Sequence, residues 1–415
     1  MQNNPESYIA EQRLNPNRAM HGYFYRSPVV FELERDQILT RSWLFAGHVS
    51  QLPRAGDYFL FELAGESIII SRDETGEIQA QLNVCRHRGA RVCEAKSGNT
   101  RTFVCPYHGW VYSLDGALKS AREMPELEKS KFGLLKPQLE TFHGLIFVNC
   151  DPGAPSFLPE LECIDDGISG HNLECAKVAD HRTYQVNANW KLALENYLEC
   201  YHCATAHRAY AKSHTLKAPY QEVASLNEAM MSRSQAATGI STLTLEVQRG
   251  FSDADSPGGG VEYSRYALYP GYLTGSEDGQ PVAPLMGSYL GFDEGAGDFQ
   301  MGPLTFMLGY PDHCVVYRFT PRSLTVTDMD VFWLVRADAQ EGRDYDISSL
   351  TWLWDHTTKE DEYIILRNAA GVSSKFFEPG PLHPEYEMLN RKFVRWYLDR
   401  LGDGLSLAQS SGAGT

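Results

Sequence analysis

The chain has 415 residues, 43% apolar and 22% charged, which is the composition of a globular protein with more than one core. A formal net charge of −16 argues against the basic surface that nucleic acids and anionic membranes require. No run reaches the ~18 consecutive apolar residues of a membrane span, and the polar first twenty residues lack the apolar stretch of a secretory signal. A cytoplasmic protein is therefore expected, and its nine cysteines, odd in number and without scaffold spacing, read as packed thiols or metal ligands.

In chain order, apolar residues at helical spacing from Val29 to Trp43 predict a helix, within an N-terminal helical segment over residues 1–45 that packs on a larger domain. From Gly47 to Asn149 the texture changes to short β-type runs. Tyr58–Phe61, Ser67–Ile70 and Gly144–Val148 are separated by Asp-Glu-Thr-Gly and Leu-Asp-Gly turns. Residues 46–152 are expected to form a small antiparallel β domain that ends in a Pro/Gly-rich linker from Asp151.

Within that domain lie Cys85-Arg86-His87 and Cys105-Pro106-Tyr107-His108, with seventeen residues between His87 and Cys105. Two cysteines and two histidines are also a tetrahedral zinc set. Zinc sites usually draw like ligands from one loop, whereas each loop here supplies one thiolate and one imidazole. That division suits a [2Fe–2S] cluster with both thiolates on one iron and both imidazoles on the other, as in Rieske centres. Cys93 fits no ligand position and reads as a packed thiol.

Residues 153–415 are expected to form the second domain. Arg182–Ala188 reads as a strand and leads through Asn189-Trp190-Lys191 into Glu195-Asn196-Tyr197-Leu198-Glu199-Cys200-Tyr201-His202-Cys203-Ala204-Thr205-Ala206-His207. On a helix Glu195, Glu199 and His202 would share a face. His207, five residues past His202, would lie ~140° round. Bringing both rings to one metal therefore requires the helix to end, tighten or widen between them; otherwise the two are unrelated surface histidines. Two imidazoles with one carboxylate suit non-haem Fe(II) oxygen chemistry. Cys200 and Cys203 flank His202 and read as buried packing thiols, the other option being a zinc-like ligand set. Strand-rich sequence follows from Tyr263 to Leu334, with turn-rich loops at Ser252–Gly260 and Thr274–Pro281. Helical spacing returns over Leu350–Ala370 and again over Tyr386–Leu401, and the Gly/Ser/Ala tail after Gly402 is expected to fray.

The first loop's Cys-Arg-His-Arg-Gly-Ala and the second's Cys-Pro-Tyr-His-Gly-Trp resemble the Rieske signature of bacterial ring-hydroxylating oxygenases. Together with Asn-Trp-Lys and Glu-Asn-x-x-Glu-x-x-His-x4-His, the chain is similar over nearly its whole length to the catalytic (alpha) subunit of Rieske non-haem iron oxygenases. The fold class implied is α+β: a small antiparallel β Rieske domain, then a catalytic domain with an antiparallel sheet flanked by helices. The resemblance implies that Cys85, His87, Cys105 and His108 hold the cluster and that His202 and His207 hold mononuclear Fe(II). It places the third ligand ten residues before Gly371, at Asp361, with Asp355 and Glu360 as rivals and Glu360 and Glu362 otherwise solvated helix charges. The family pattern departs here at Leu366 and Ala369.

It further implies a homotrimer in which Glu199 links His202 to His108 of the partner subunit for inter-subunit electron transfer, with Glu195 and Asn196 supporting that network. O2 and a small molecule are the substrates. The sequence has no Gly-x-Gly-x-x-Gly strand–helix fingerprint and no plant-type ferredoxin cysteine spacing. Electrons are accordingly expected from a separate NAD(P)H-dependent reductase. Glu199 stands where most aromatic-ring dioxygenases carry Asp, and Glu-Cys-Tyr-His-Cys looks like the branch that hydroxylates and demethylates betaine-like quaternary ammonium compounds. Such a cation requires aromatic faces within ~6 Å, and Tyr197, Tyr201, Tyr210, Tyr269 and Tyr272 are candidates. The alternatives are ring hydroxylation of an aromatic acid and, outside enzymes, an electron-transfer Rieske protein or a structural zinc protein.

Overall fold

A computed structural model of the chain describes residues 4–216, 218–238, 246–248, 251 and 259–412. Its N-terminal segment is more broken than the spacing predicts. Pro5–Arg13 is a helix capped by Asn4, whose side-chain oxygen accepts the Glu6 N–H at 3.1 Å, with Pro5 at the first helical position. The helix expected over Val29–Trp43 runs only from Pro28 to Glu34 and continues as a wider turn over Arg35–Leu39. It stops because Leu44–His48 pairs as a strand with Leu145–Asn149. Trp43 turns its indole to the Pro155 carbonyl at 2.9 Å and stacks on Phe157.

Three small antiparallel sheets make up the β region. Leu44–His48, Leu145–Asn149 and Gln138–Phe142 form one, and Phe103–Val104, Val111–Tyr112 and Leu118–Ser120 another. The four-stranded sheet runs Ile78–Leu82, Glu66–Arg72, Asp57–Leu63, Ser97–Asn99. The two runs legible in the sequence meet there, with Phe59 opposite Ile70 and Phe61 opposite Ile68.

The C-terminal half is built on a seven-stranded antiparallel sheet. Its order is Ala176–Val186, Val326–Arg336, Cys314–Ser323, Thr305–Gly309, Gly295–Met301, Val261–Ala267, Glu246–Gln248. Both faces of its centre are buried. Val315, Tyr317, Phe319, Val331 and Trp333 pack into one core, and Cys314, Val316, Phe332 and Leu334 into the other, the period-2 division of side chains along a strand. Across the first face lie the helices Trp190–Tyr197 and Ile347–Val372. The long helix starts at Asp346, whose carboxylate caps the Ser349 N–H at 3.0 Å, and it buries Leu350, Leu353, Trp354, Thr357 and Thr358 at helical spacing.

The last helix, Met388–Gly412, continues past the expected end at Leu401, and Leu401 and Leu405 both pack on the main core. Residues 252–258 of the first turn-rich loop lie outside the described residues. Among the described residues no helix is long and apolar enough to cross a membrane.

A fully buried ion pair joins these parts beneath the helix that leads to the histidines. Lys191 pairs with Glu34, and Glu34 also accepts from Trp190 Nε1 at 2.8 Å and from the Tyr397 hydroxyl at 2.5 Å. Removing one partner strands the other charge in an apolar interior. Glu34→Ala is therefore expected to destabilise the fold by ~3–5 kcal/mol. The measurement is a denaturant melt, in which the double change Glu34→Ala with Lys191→Met should recover most of the loss.

Candidate metal centres

The two Cys/His loops have the same backbone form. In the first, the Cys85 N–H donates to the Ala90 carbonyl at 2.8 Å and the Gly89 N–H to the Cys85 carbonyl at 2.9 Å. In the second, the Cys105 N–H donates to Trp110 at 2.8 Å and the Gly109 N–H to Cys105 at 3.0 Å. Gly89 and Gly109 take φ of +78° and +69°, which closes each loop in a conformation that side chains disfavour. This brings His87 Nδ1 to 3.1 Å from His108 Nδ1. Cys85 and Cys105 are buried, while both imidazoles are only half-buried. Burial pushes the Cys105 thiol up, and Cys85 beside it adds to the rise. The Tyr112 hydroxyl lies 3.2 Å from Cys85 Sγ, and Trp110 stacks on His87 at 4.9 Å. Two sulfurs inside and two imidazole nitrogens outside are the donor set a Rieske-type cluster takes. Cys93 is half-buried against this core, its thiol pushed up to about 11 by burial.

The second cluster depends on a broken helix. Trp190–Tyr197 ends at Leu198, a turn follows, and Cys203–Ala206 is a separate short helix with His207 just past its end. The break is held by Glu199. Its Oε2 accepts the N–H groups of Tyr201 and His202, the latter at 3.2 Å, and its Oε1 lies 2.6 Å from His202 Nδ1. Glu199 thus leaves the helix face it was expected to share with Glu195. Glu195 turns inward to the Tyr25 hydroxyl at 2.8 Å, and burial pushes its carboxyl up to about 7.

With the helix interrupted, His202 Nε2 and His207 Nε2 approach to 3.1 Å. Asp361 Oδ1, from the long helix, lies 3.3 Å from the first and 3.0 Å from the second. Donors ~2.1 Å from a first-row ion on one octahedral face lie about 3 Å apart, so the triangle fits such an ion. Burial opposes charge on His202, but the hydrogen bonds it donates to Asp361 and Glu199 overcome it and raise its pKa to about 9. Burial likewise opposes ionisation of Asp361, and the two imidazoles outweigh it and hold its pKa down. The triad thus favours a positive charge at its centre. Asn196 Nδ2 lies 3.4 Å from His202 Nε2, at the edge of the site.

The rivals of Asp361 have other partners. Asp355 is engaged with Tyr184 at 2.5 Å, Arg182 at 2.9 Å and Lys359 at 2.7 Å. Glu360, read from the sequence as a rival ligand or a solvated charge, instead lies 2.9 Å from His207 Nδ1. Each histidine therefore turns Nε2 to the centre and Nδ1 to a carboxylate, the arrangement that sets tautomer and basicity in metal-binding histidines. The flanking cysteines also depart from expectation. Cys200 is exposed, and it forms a disulfide with Cys203. The Cys203 sulfur comes within 4.0 Å of His202 Nε2, but a disulfide sulfur is no thiolate ligand.

The triad opens into a cavity of about 390 Å³. Tyr197, Tyr210, Phe306 and Trp354 line it, and the exposed Tyr386 and Met388 mark its mouth. Of the five candidate tyrosines, Tyr197 and Tyr210 reach the cavity. Tyr201 is exposed and stacks on Tyr386 at 5.6 Å, and Tyr269 and Tyr272 are not among the lining residues. The sequence reading missed Glu262, Ser264, Asp298 and Gln300, which also line it. Their signal was a short apolar/polar alternation, Val261–Ser264 in one strand and Asp298–Met301 in the other, whose apolar residues face the core.

Residues 173–403 match the family described as ring hydroxylating alpha subunit (catalytic domain), and residues 42–137 match the Rieske [2Fe–2S] domain. The glycine betaine monooxygenase oxygenase subunit of Pseudomonas aeruginosa strain UCBPP-PA14 is 31% identical, over 92% of this chain and 89% of the relative. That of Chromohalobacter salexigens is 32% identical, over 91% and 84%. A crystal structure of the quaternary ammonium Rieske monooxygenase CntA superposes with a TM-score of 0.70 at 21% identity, over 97% of this chain and 99% of that one, which shows a shared fold. A histidine pair and an aspartate on one triangle and a Rieske-like double loop, in a chain matched this completely, leave one assignment: the protein belongs to the ring-hydroxylating alpha-subunit family of Rieske oxygenases, oxidoreductases with a [2Fe–2S] domain and a non-haem iron catalytic domain.

Proposed function

We propose that the chain is the oxygenase component that hydroxylates, and so demethylates, an N-methyl group of a betaine-like quaternary ammonium compound. The observation that carries this reading is the cavity, where Tyr197, Tyr210, Phe306 and Trp354 offer aromatic faces beside the triad. Such faces attract a methylated ammonium that water solvates weakly. The glycine betaine monooxygenase subunits matched over nearly the full chain support the same substrate class.

In this reading Cys85, His87, Cys105 and His108 hold the cluster and His202, His207 and Asp361 hold the iron. When bound, the cluster stores one electron and the iron activates O2. The chain's own residues do the rest. Glu199 and Glu360 hold the two imidazoles with Nε2 toward the centre. The aromatic walls keep water away and turn a methyl group toward the triad, with Asn196 at the site's edge. The balance is R3N⁺–CH3 + O2 + 2e⁻ + 2H⁺ → R3N⁺–CH2OH + H2O. The carbinolamine then loses formaldehyde and a proton to leave R3N.

Electrons come from a separate NAD(P)H-dependent reductase, and the working unit is a cytoplasmic homotrimer in which Glu199 joins His202 to the cluster of the partner subunit. Residues 1–45, 46–152 and 153–415 are its N-terminal segment, Rieske domain and catalytic domain. The test is formaldehyde release by holoenzyme with a surrogate reductase, across methylammonium compounds and aromatic acids. Stoichiometric formaldehyde from the former is expected. None from any of them, alongside turnover of an aromatic acid, overturns the proposal.

A further inference from the structure

One wall of the cavity comes from the paired strands Val261–Ala267 and Gly295–Met301. Their register sets Glu262 opposite Gln300 and Ser264 opposite Asp298. Alternate strand residues share a face, and all four line the cavity. Tyr263 and Phe299 between them point the other way, into the second core, where their rings stack at 4.6 Å. Two carboxylates and a carboxamide thus occupy a sheet face at the heart of the domain, where packing alone favours apolar side chains.

Gln300 is 3% exposed; its amide donates to the Gly302 carbonyl at 3.2 Å, while its Oε1 has no hydrogen-bond partner among the described residues. Burial and the neighbouring charge of Glu262 push the Asp298 carboxyl up to about 7, so this wall takes up positive charge readily. Among the described residues that line the cavity there is no lysine or arginine. An anionic substrate group set against this wall would meet carboxylates.

We infer that Asp298, with Glu262 and Gln300 beside it, anchors the cationic head of the substrate and selects methylammonium compounds whose charge no adjacent carboxylate cancels. The inference rests on the N-methyl reading above and narrows it. A carboxylate one carbon from the nitrogen sits against this acidic wall, whereas a carboxylate several carbons away reaches the mouth and water, and a cation without one meets no repulsion. The aromatic faces contact the methyl groups in every case, so they do not discriminate among these compounds; the strand carboxylates do.

The test is anaerobic calorimetric titration of the holoenzyme with four probes. These are choline, glycine betaine, a trimethylammonium compound with its carboxylate several carbons from nitrogen, and 3,3-dimethyl-1-butanol, the uncharged isostere of choline. Choline and the long betaine are expected to bind about 30-fold or more tightly than the isostere, with glycine betaine well below them. Asp298→Asn should collapse the choline-to-isostere ratio while the isostere's own affinity stays within a few-fold, and Glu262→Gln should move the ratio the same way. Equal losses for choline and isostere would assign Asp298 a structural role and overturn the inference. So would a glycine betaine affinity matching that of choline, or a ratio unmoved by either substitution. Formaldehyde assays on the same samples separate the two claims. Formaldehyde without charge selectivity overturns only the anchor, whereas no formaldehyde from any methylammonium compound overturns the N-demethylation reading.

Discussion

Asp361→Ala is expected to empty the mononuclear site and lower turnover at least ~10³-fold, with the cluster's visible and EPR spectra unchanged. Only Oδ1 of this residue closes the triangle with the two imidazoles, at 3.0 and 3.3 Å. Its neighbour Glu360 cannot take its place, because that carboxylate is turned to the far side of His207. Iron analysis and turnover on the same preparation check the result, with His202→Ala as a parallel variant. A variant that kept all its iron and its turnover would remove Asp361 from the ligand set.

The second large effect is expected at Glu199. Glu199→Gln preserves the size of the side chain and an oxygen to cap the Tyr201 and His202 N–H groups, so the turn between the two helices survives. It removes the negative charge at 2.6 Å from His202 Nδ1. A carboxylate behind a ligating imidazole typically contributes 10- to 100-fold in affinity or activity, and a fall of about that size in kcat is expected with both metal centres retained. Stopped-flow oxidation of the reduced cluster in the presence of substrate is the discriminating measurement. A slowed electron transfer supports the inter-subunit path; an unchanged rate leaves Glu199 only the task of holding the turn and the imidazole.

These expectations draw on different parts of what the chain encodes. The cluster loops were legible because each is a local unit. A cysteine, a histidine two or three residues later and a glycine free to take positive φ make one closed turn, and the residue types state the chemistry. The histidine pair was legible as chemistry but not as geometry. Periodicity placed Glu195, Glu199 and His202 on one helical face, whereas Glu199 accepts the Tyr201 and His202 amides in the turn that follows the helix and Glu195 turns to Tyr25 in the N-terminal segment. Capping of this kind competes with helix continuation at energies too close for spacing alone to decide. The Cys200–Cys203 disulfide was unread because a spacing of three residues suits two packed thiols on one helix turn equally well.

From sequence alone came the cofactor types, the order of the two domains and the candidate donor residues, since each depends on residue chemistry within a few positions or on a family pattern. Tertiary structure decided which carboxylate stands in front of a histidine and which behind it. Asp361 and Glu360 are adjacent in the chain, yet the long helix points one at the centre and the other at the outer nitrogen of His207, across separations of 159 and 153 residues. It also decided that Asp298 and Gln300 face the cavity, because strand register sets which residues share a face and a shift of one residue would turn both into the core. Register and helix rotation are settled by contacts between distant segments, and no local pattern carries that information.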